Sequence, residues 1–159
     1  MTNFRIRRFN PETDIDQVQN INRTCLPENY PRFFFTEIYE KFSEGFNVAV
    51  MEDTGEIAGY EMTRIEKGLS NFGYGICKKG HIISIAVLPQ FRRLGIAKEL
   101  MDAANESLRV RDVKEVYLEV RESNNKAINL YLQLGYTTQK ISKRYYSDGE
   151  SAFIMITKI

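Results

Sequence analysis

The chain has little of what several protein classes require. It holds one histidine, His81, and two cysteines, Cys25 and Cys77, among 159 residues. Two thiols so far apart in sequence give no disulfide framework and fit a reducing compartment. A zinc site would need Cys25, Cys77, His81 and a carboxylate to converge, and their spacing matches no ligand pattern, so no metal is expected. Charge of one sign is missing too, because 22 lysines and arginines nearly balance 21 aspartates and glutamates. That balance provides no global field for nucleic acid. No apolar run is long enough to span a membrane, and the opening "MTNFRIRRF" lacks the apolar stretch of a signal peptide. The protein is therefore expected to be cytoplasmic, with neither a membrane nor a nucleic acid as partner. Internal repeats, low-complexity tracts and linkers are absent as well.

What is present suits a single domain over residues 1–159, with 43% hydrophobic and 27% charged residues. "FRIRRF" alternates apolar and basic residues as a strand does. Ile15, Val18, Ile21 and Cys25 form one helical stripe, and "LPENYP" breaks it with two prolines. Helical spacing resumes at Phe35, Ile38, Tyr39 and Phe42. "FNVAVME" and "IAGYEMTRIE" are strand-like around a turn at Asp53-Thr54-Gly55. The glycine-rich "KGLSNFGYGICKKG" has no period and reads as a loop. "HIISIAVL" reads as a buried strand, and "RRLGIAKELMDAANESLR" as a helix with Leu94, Ala97, Leu100, Met101, Ala104 and Leu108 inward. "VKEVYLEVR" is a further strand and "ESNNKAINLYLQLGY" a further helix. The chain closes in a hairpin around Asp148-Gly149. Strands alternating with helices in this way predict a mixed α/β sheet with helices on both faces.

The strongest local chemistry is "VLPQFRRLGIA", residues 87–97. A strand stops at a proline, Arg92 and Arg93 follow, and Gly95 and Ala97 open a long helix. The first turn of a helix has free N–H groups at the positive end of its dipole, which attracts phosphate. Gly95 lets a ligand approach the backbone, and the two guanidinium groups add charge at the same point. No G-x-x-x-x-G-K-[ST] loop occurs, and Gly73-x-Gly75 lacks the third glycine of a dinucleotide fingerprint.

Arg92-x-x-Gly95-x-Ala97 resembles the acetyl-CoA pyrophosphate motif of the GNAT N-acetyltransferases, and the element order resembles theirs over essentially the whole chain. "LPENYP", "GHIISIAVLPQFRRLGIA" and "RYYSDGESAFIM" resemble more narrowly the archaeal and eukaryotic catalytic subunits that acetylate protein amino termini. The middle block and "LEVRESN" are shared with RimI-type enzymes. The resemblance implies a GNAT fold, α/β, with a mixed central sheet of about seven strands splayed between strands 4 and 5. It also implies transfer of acetyl from acetyl-CoA, as cosubstrate, directly to a free amino terminus. Protein or nascent-chain amino termini are the implied substrates, and an auxiliary subunit or the ribosome is a further partner of such enzymes. A GNAT acetylating lysine or a small amine is the alternative.

The resemblance assigns roles residue by residue. Ile85, Ala86 and Val87 hold the pantetheine and polarise the thioester, and Arg92, Arg93, Leu94, Gly95, Ile96 and Ala97 hold the pyrophosphate. Asn124 hydrogen-bonds the cosubstrate, and Tyr131 protonates the departing sulfur, although helical spacing alone makes Tyr131 a core residue. Two candidates share the role of base. Glu119 is a charge amid apolar strand neighbours, and His81 has a side chain suited to proton transfer near neutrality. The peptide falls to Leu26, Pro27, Glu28 and Tyr30 of the "LPENYP" loop and to Tyr145 and Tyr146, of which strand alternation would point only one at the peptide. An α-amine with pKa near 7.8 is ~14% neutral at pH 7, against ~0.04% for a lysine near 10.4. The lack of a strong dedicated base constellation fits an α-amine better.

Overall fold

The alternating "FRIRR" forms strand β1 (Phe4–Arg8), and the computed structural model describes residues 3–159. The next elements are helices α1 (Ile15–Cys25) and α2 (Arg32–Lys41), then strands β2 (Phe46–Met51), β3 (Ile57–Leu69) and β4 (Ile76–Val87). Helix α3 (Ile96–Val110), β5 (Glu115–Arg121), α4 (Asn125–Gln133), β6 (Thr137–Ser142) and β7 (Ala152–Lys158) complete the chain. The strands order as β1-β2-β3-β4-β5-β7-β6 in one seven-stranded sheet. The sheet is mixed, because β4 and β5 run parallel while β5 and β7 run antiparallel. The parallel ladder is held at Gly80↔Val116 and His81↔Tyr117, a short stretch for strands of 12 and 7 residues. A ladder that short is what a splay between the fourth and fifth strands leaves.

The chain divides into two compact units, one running up to Arg64 and including Ile82–Arg111, the other comprising Ile65–His81 and Asp112–Ile159. In the first, the register places Val48 opposite Tyr60 and Ala49 opposite Gly59, with a bulge beside Ala49 and Val50. Side chains alternate across a sheet, so the two rows bury against different partners. Val48, Val50, Tyr60 and Met62 join Ile15, Val18 and Ile21 of α1 and Phe35 and Ile38 of α2 in one core. Ala49, Met51 and Ala58 join Ile96 and Leu100 of α3 in another. Here helices do cover both faces. Gly59 has a packing reason, since a Cβ there would lie 2.7 Å from the Ala86 carbonyl oxygen.

In the second unit, β5 pairs with β7 from Glu115↔Lys158 to Arg121↔Ala152. Val116, Leu118 and Val120 are buried, while Tyr117, Glu119 and Arg121 share the other face and stay half-buried. Asn124 caps α4, its Oδ1 accepting the Ala127 N–H at 3.3 Å. The helix stops at Gly135, which takes φ +93° while the Tyr136 N–H returns to the Tyr131 carbonyl at 2.9 Å.

Three local expectations change. Residues 67–80 are mostly strand, for β3 runs to Leu69, β4 starts at Ile76, and Ser70 N–H closes on Gly75 O at 3.0 Å. Ladder hydrogen bonds override the missing apolar period there. Helix α3 starts at Ile96, so Leu94 lies before it, 41% exposed instead of facing the core. The last hairpin has a connection of residues 143–151, which holds Tyr145 and Tyr146, so strand alternation does not orient them. A turn does form at Asp148-Gly149, with Gly149 N–H on Tyr146 O at 2.9 Å.

Candidate active site

In the second unit five side chains from four segments make one network. His81 of β4 is 8% exposed, with Nδ1 2.7 Å from Glu66 Oε2 of β3. Its Nε2 lies 2.7 Å from both carboxylate oxygens of Glu119 on β5. Tyr117, two residues from Glu119 on the same face, stacks on the imidazole at 4.2 Å and 15°. Its hydroxyl donates to Glu66 Oε1. The Tyr145 hydroxyl, from the loop before β7, donates to Glu119 Oε1 at 3.1 Å. Tyr117, Glu119 and Tyr145 line a cavity of about 470 Å³, together with Leu69, Lys79 and Lys140. Tyr146 turns to Arg121 instead, whose guanidinium lies 4.1 Å from the ring centroid.

Tyr131 sits apart from this network on α4. It is 7% exposed, its ring 5.8 Å from that of Tyr136, and its hydroxyl makes no hydrogen bond among the described residues. Burial pushes the hydroxyl up to about 12, so the proton stays on it at any working pH. Asn124, exposed at the head of the same helix, uses its Oδ1 for the cap, and its amide N–H groups take no part in that bond.

In the first unit the "FRRLG" turn is held by its own residues. Arg92 Nε donates to Val87 O at 2.9 Å, and Cys25 Sγ approaches the same carbonyl at 3.5 Å. Arg93 takes φ +67° and Gly95 φ +85°, and Arg92, Arg93, Leu94 and Gly95 are exposed. The first helical bond is Glu99 N–H to Gly95 O at 3.2 Å, which leaves the preceding N–H groups of α3 without an intrahelical acceptor. An added Cβ at Gly95 meets nothing within 4 Å, so the positive φ is what requires glycine. This turn fits an anionic group, offering charge, free N–H groups and an open approach. Of the strand before it, Ile85 is half-buried, and Ala86 and Val87 are buried. Burial pushes the Cys25 thiol above its ordinary value against the pull of Arg92, which disfavours the reactive thiolate.

The "LPENYP" loop also belongs to the first unit and is organised by a residue that helical periodicity did not single out. Asn22 is fully buried, and its amide donates to Glu28 O and to Tyr60 Oη, both at 3.1 Å. Its Oδ1 accepts the Tyr30 N–H at 3.2 Å. Tyr30 stacks on Phe34 at 4.7 Å, Leu26 is half-buried and Pro27 exposed. A polar residue between Ile21 and Cys25, on the buried side of α1, was the available signal for Asn22. For Glu66 and Tyr117 the signal was hidden, since reading 67–80 as a loop leaves Glu66 at a strand end. A hairpin closed at Ser70 and Gly75 instead brings residue 66 beside 79–81.

Comparison with known proteins agrees with this architecture. Residues 15–136 match the profile described as the acetyltransferase (GNAT) family. A protein of Sulfurisphaera tokodaii named N-alpha-acetyltransferase is 49% identical over 155 residues, covering 96% of this chain and 91% of that one. The crystal structure of Chaetomium thermophilum Naa20 in complex with a bisubstrate analogue superposes with a TM-score of 0.85 at 29% identity, covering 98% and 86%. The NatB acetyltransferase complex bound to CoA and MES gives a TM-score of 0.83 at 27% identity, covering 98% and 99%.

Proposed function

The chain belongs to the GNAT acetyltransferase family, and from that premise we propose that it is an N-alpha-acetyltransferase, moving acetyl from acetyl-CoA to the free amino terminus of a polypeptide. The observation that carries this reading is 49% identity, over 96% of the chain, to a protein of that name. The binding of CoA by the NatB complex supports the cosubstrate. The Arg92-to-Ala97 turn would hold the pyrophosphate, Ile85 to Val87 the pantetheine, and Asn124 a further polar group. Acetyl-CoA supplies an activated acyl group whose thiol can leave.

Glu119 takes a proton from the substrate ammonium, which frees the lone pair for attack. Tyr131 donates a hydrogen bond to the departing sulfur. With its pKa at about 12 and a thiol near 8.5, full transfer is uphill by about 5 kcal/mol, so hydrogen bonding does most of this stabilisation. The raised Cys25 thiol supports direct transfer without an acetyl-enzyme. Leu26, Pro27, Glu28, Tyr30 and Tyr145 are the proposed peptide contacts, with Tyr146, held on Arg121, in a supporting place. Paired peptides with a free or a blocked amino terminus, each carrying one internal lysine, test the reading. Acetylation confined to free termini is expected, and equal rates on blocked peptides would replace the reading with lysine acetylation.

A further inference from the structure

We propose that Glu66 is a positioning residue for the transfer reaction, keeping Glu119 ionised to meet the substrate amine by acting through His81. The inference rests on the amino-terminal reading above. Each imidazole nitrogen lies 2.7 Å from a carboxylate oxygen, Nδ1 from Glu66 and Nε2 from Glu119. Two lone pairs facing each other at that distance repel, so each contact contains a proton. Glu66, His81 and Glu119 therefore share two protons between the ring and its neighbours. Either an imidazolium lies between two carboxylates, or a neutral imidazole lies beside one carboxylic acid.

The surroundings choose between these arrangements. Glu66 accepts the Tyr117 hydroxyl on the oxygen that His81 does not use, so both its oxygens face donors and its ionised form is favoured. Tyr117 also stacks on the ring and fixes its plane. The nearby cation is Lys79, whose Nζ lies 5.1 Å from the Tyr117 centroid and 3.8 Å from Glu115. An ionised Glu66 against Nδ1–H stabilises the imidazolium, as the buried carboxylate does in a Ser-His-Asp triad. The imidazolium then supplies the Nε2 proton and leaves Glu119 charged. Of the three, Glu119 is the group on the cavity wall. In the reaction a substrate N–H bond breaks, an O–H bond forms on Glu119, and the freed amine lone pair attacks the thioester carbonyl. A C–N bond forms, the C–S bond breaks, and the second N–H proton leaves with the departing thiolate as the thiol. Without the Glu66 charge the Nε2 proton moves onto Glu119, and a carboxylic acid there cannot accept another.

His81 is the only histidine in the chain, so its ring nitrogens can be read directly in 15N NMR of the full-length protein. At pH 7 the wild type is expected to show both nitrogens protonated. Glu66→Gln is expected to show one of them bare, with kcat lowered roughly ten- to hundredfold and peptide KM within about twofold. Glu66→Asp should recover most of kcat. A neutral imidazole in the wild type overturns the proposal, and so does a Glu66→Gln enzyme with unchanged 15N signals and kcat. Should Glu66→Gln not fold, the wild-type signal and Glu66→Asp still decide. If the wild type acetylates free amino termini but carries a neutral His81, only the role of Glu66 falls. If it acetylates no free terminus, the functional reading falls too.

Discussion

Tyr131 and Glu119 occupy opposite electrostatic situations, and each makes its own prediction. Tyr131 is buried with no acceptor for its hydroxyl among the described residues, while Glu119 faces a cavity and is held by His81 and Tyr145. Tyr131→Phe removes the hydrogen bond proposed for the developing thiolate and should lower kcat roughly tenfold to a hundredfold, with CoA affinity unchanged. Isothermal titration alongside steady-state kinetics separates the two, and an unchanged kcat removes the role. Glu119→Gln keeps the shape and loses the proposed acceptor of the proton, so kcat should fall about a hundredfold or more. The loss should shrink as pH rises, because more of the substrate amine is then already neutral. A deficit that stays constant from pH 7 to pH 9 would mean that Glu119 does not take that proton. Glu119 was legible in the sequence because a charge inside an apolar strand is conspicuous, and His81 because the chain's single histidine opens an apolar run with a ring suited to proton transfer near neutrality. Glu66 and Tyr117 were not, since their value lies in contacts 15 and 51 residues apart in sequence.

At the scale of the element, α3 joins the readable and the unreadable. Leu100, Met101, Ala104 and Leu108 of its apolar stripe were plain from spacing, though buried Ile96 was not, and most of the stripes of α1 and α2 were plain too. Where α3 begins was not, because arginines and a leucine are acceptable helix residues, and only the positive φ at Arg93 and Gly95 keeps them outside. The extension of β3 and β4 through residues 67–80 was hidden for a related reason, since backbone pairing does not need an apolar side-chain period. The turn before α3 can be tested against a matched control. Gly95 and Gly55 both have positive φ, +85° and +74°, and in both an added Cβ meets nothing within 4 Å. Alanine at either should cost about 1 kcal/mol of stability through backbone strain alone. Only Gly95→Ala should weaken CoA binding, because only that turn presents free N–H groups and Arg92. Equal CoA affinity in the two variants would remove the phosphate-binding role from the α3 start.

Over the whole molecule, two buried carboxyl groups titrate with opposite consequences for stability. Asp14, 2% exposed, is pushed up by burial, but Arg7 at 2.6 and 3.0 Å and the Asn10 N–H at 2.7 Å outweigh this and hold it below its usual range. A depressed acid contributes stability that is present above its unfolded pKa and lost as pH falls through the folded one. Glu61, fully buried, is raised by burial to about 8 despite donors from Asn47 at 2.6 Å and Thr63 at 2.7 Å. Between an unfolded value near 4.3 and that folded value, the folded state binds a proton that the unfolded state does not. Stability from Glu61 is therefore full below about pH 4 and declines as pH rises towards 8. The decline is bounded by about 1.4 kcal/mol per pH unit, a few kcal/mol in all. For a chain of this size that corresponds to a fall in Tm on the order of 10 °C. Thermal unfolding from pH 5 to pH 8.5 should show the fall in the wild type and lose most of it in Glu61→Gln, which keeps the shape without the ionisation. Asp14→Asn should be destabilised at pH 7 and converge on the wild type only as pH falls through the lowered folded value of Asp14. A wild-type Tm that stays level from pH 5 to pH 8.5 would mean that Glu61 stays ionised in its buried place.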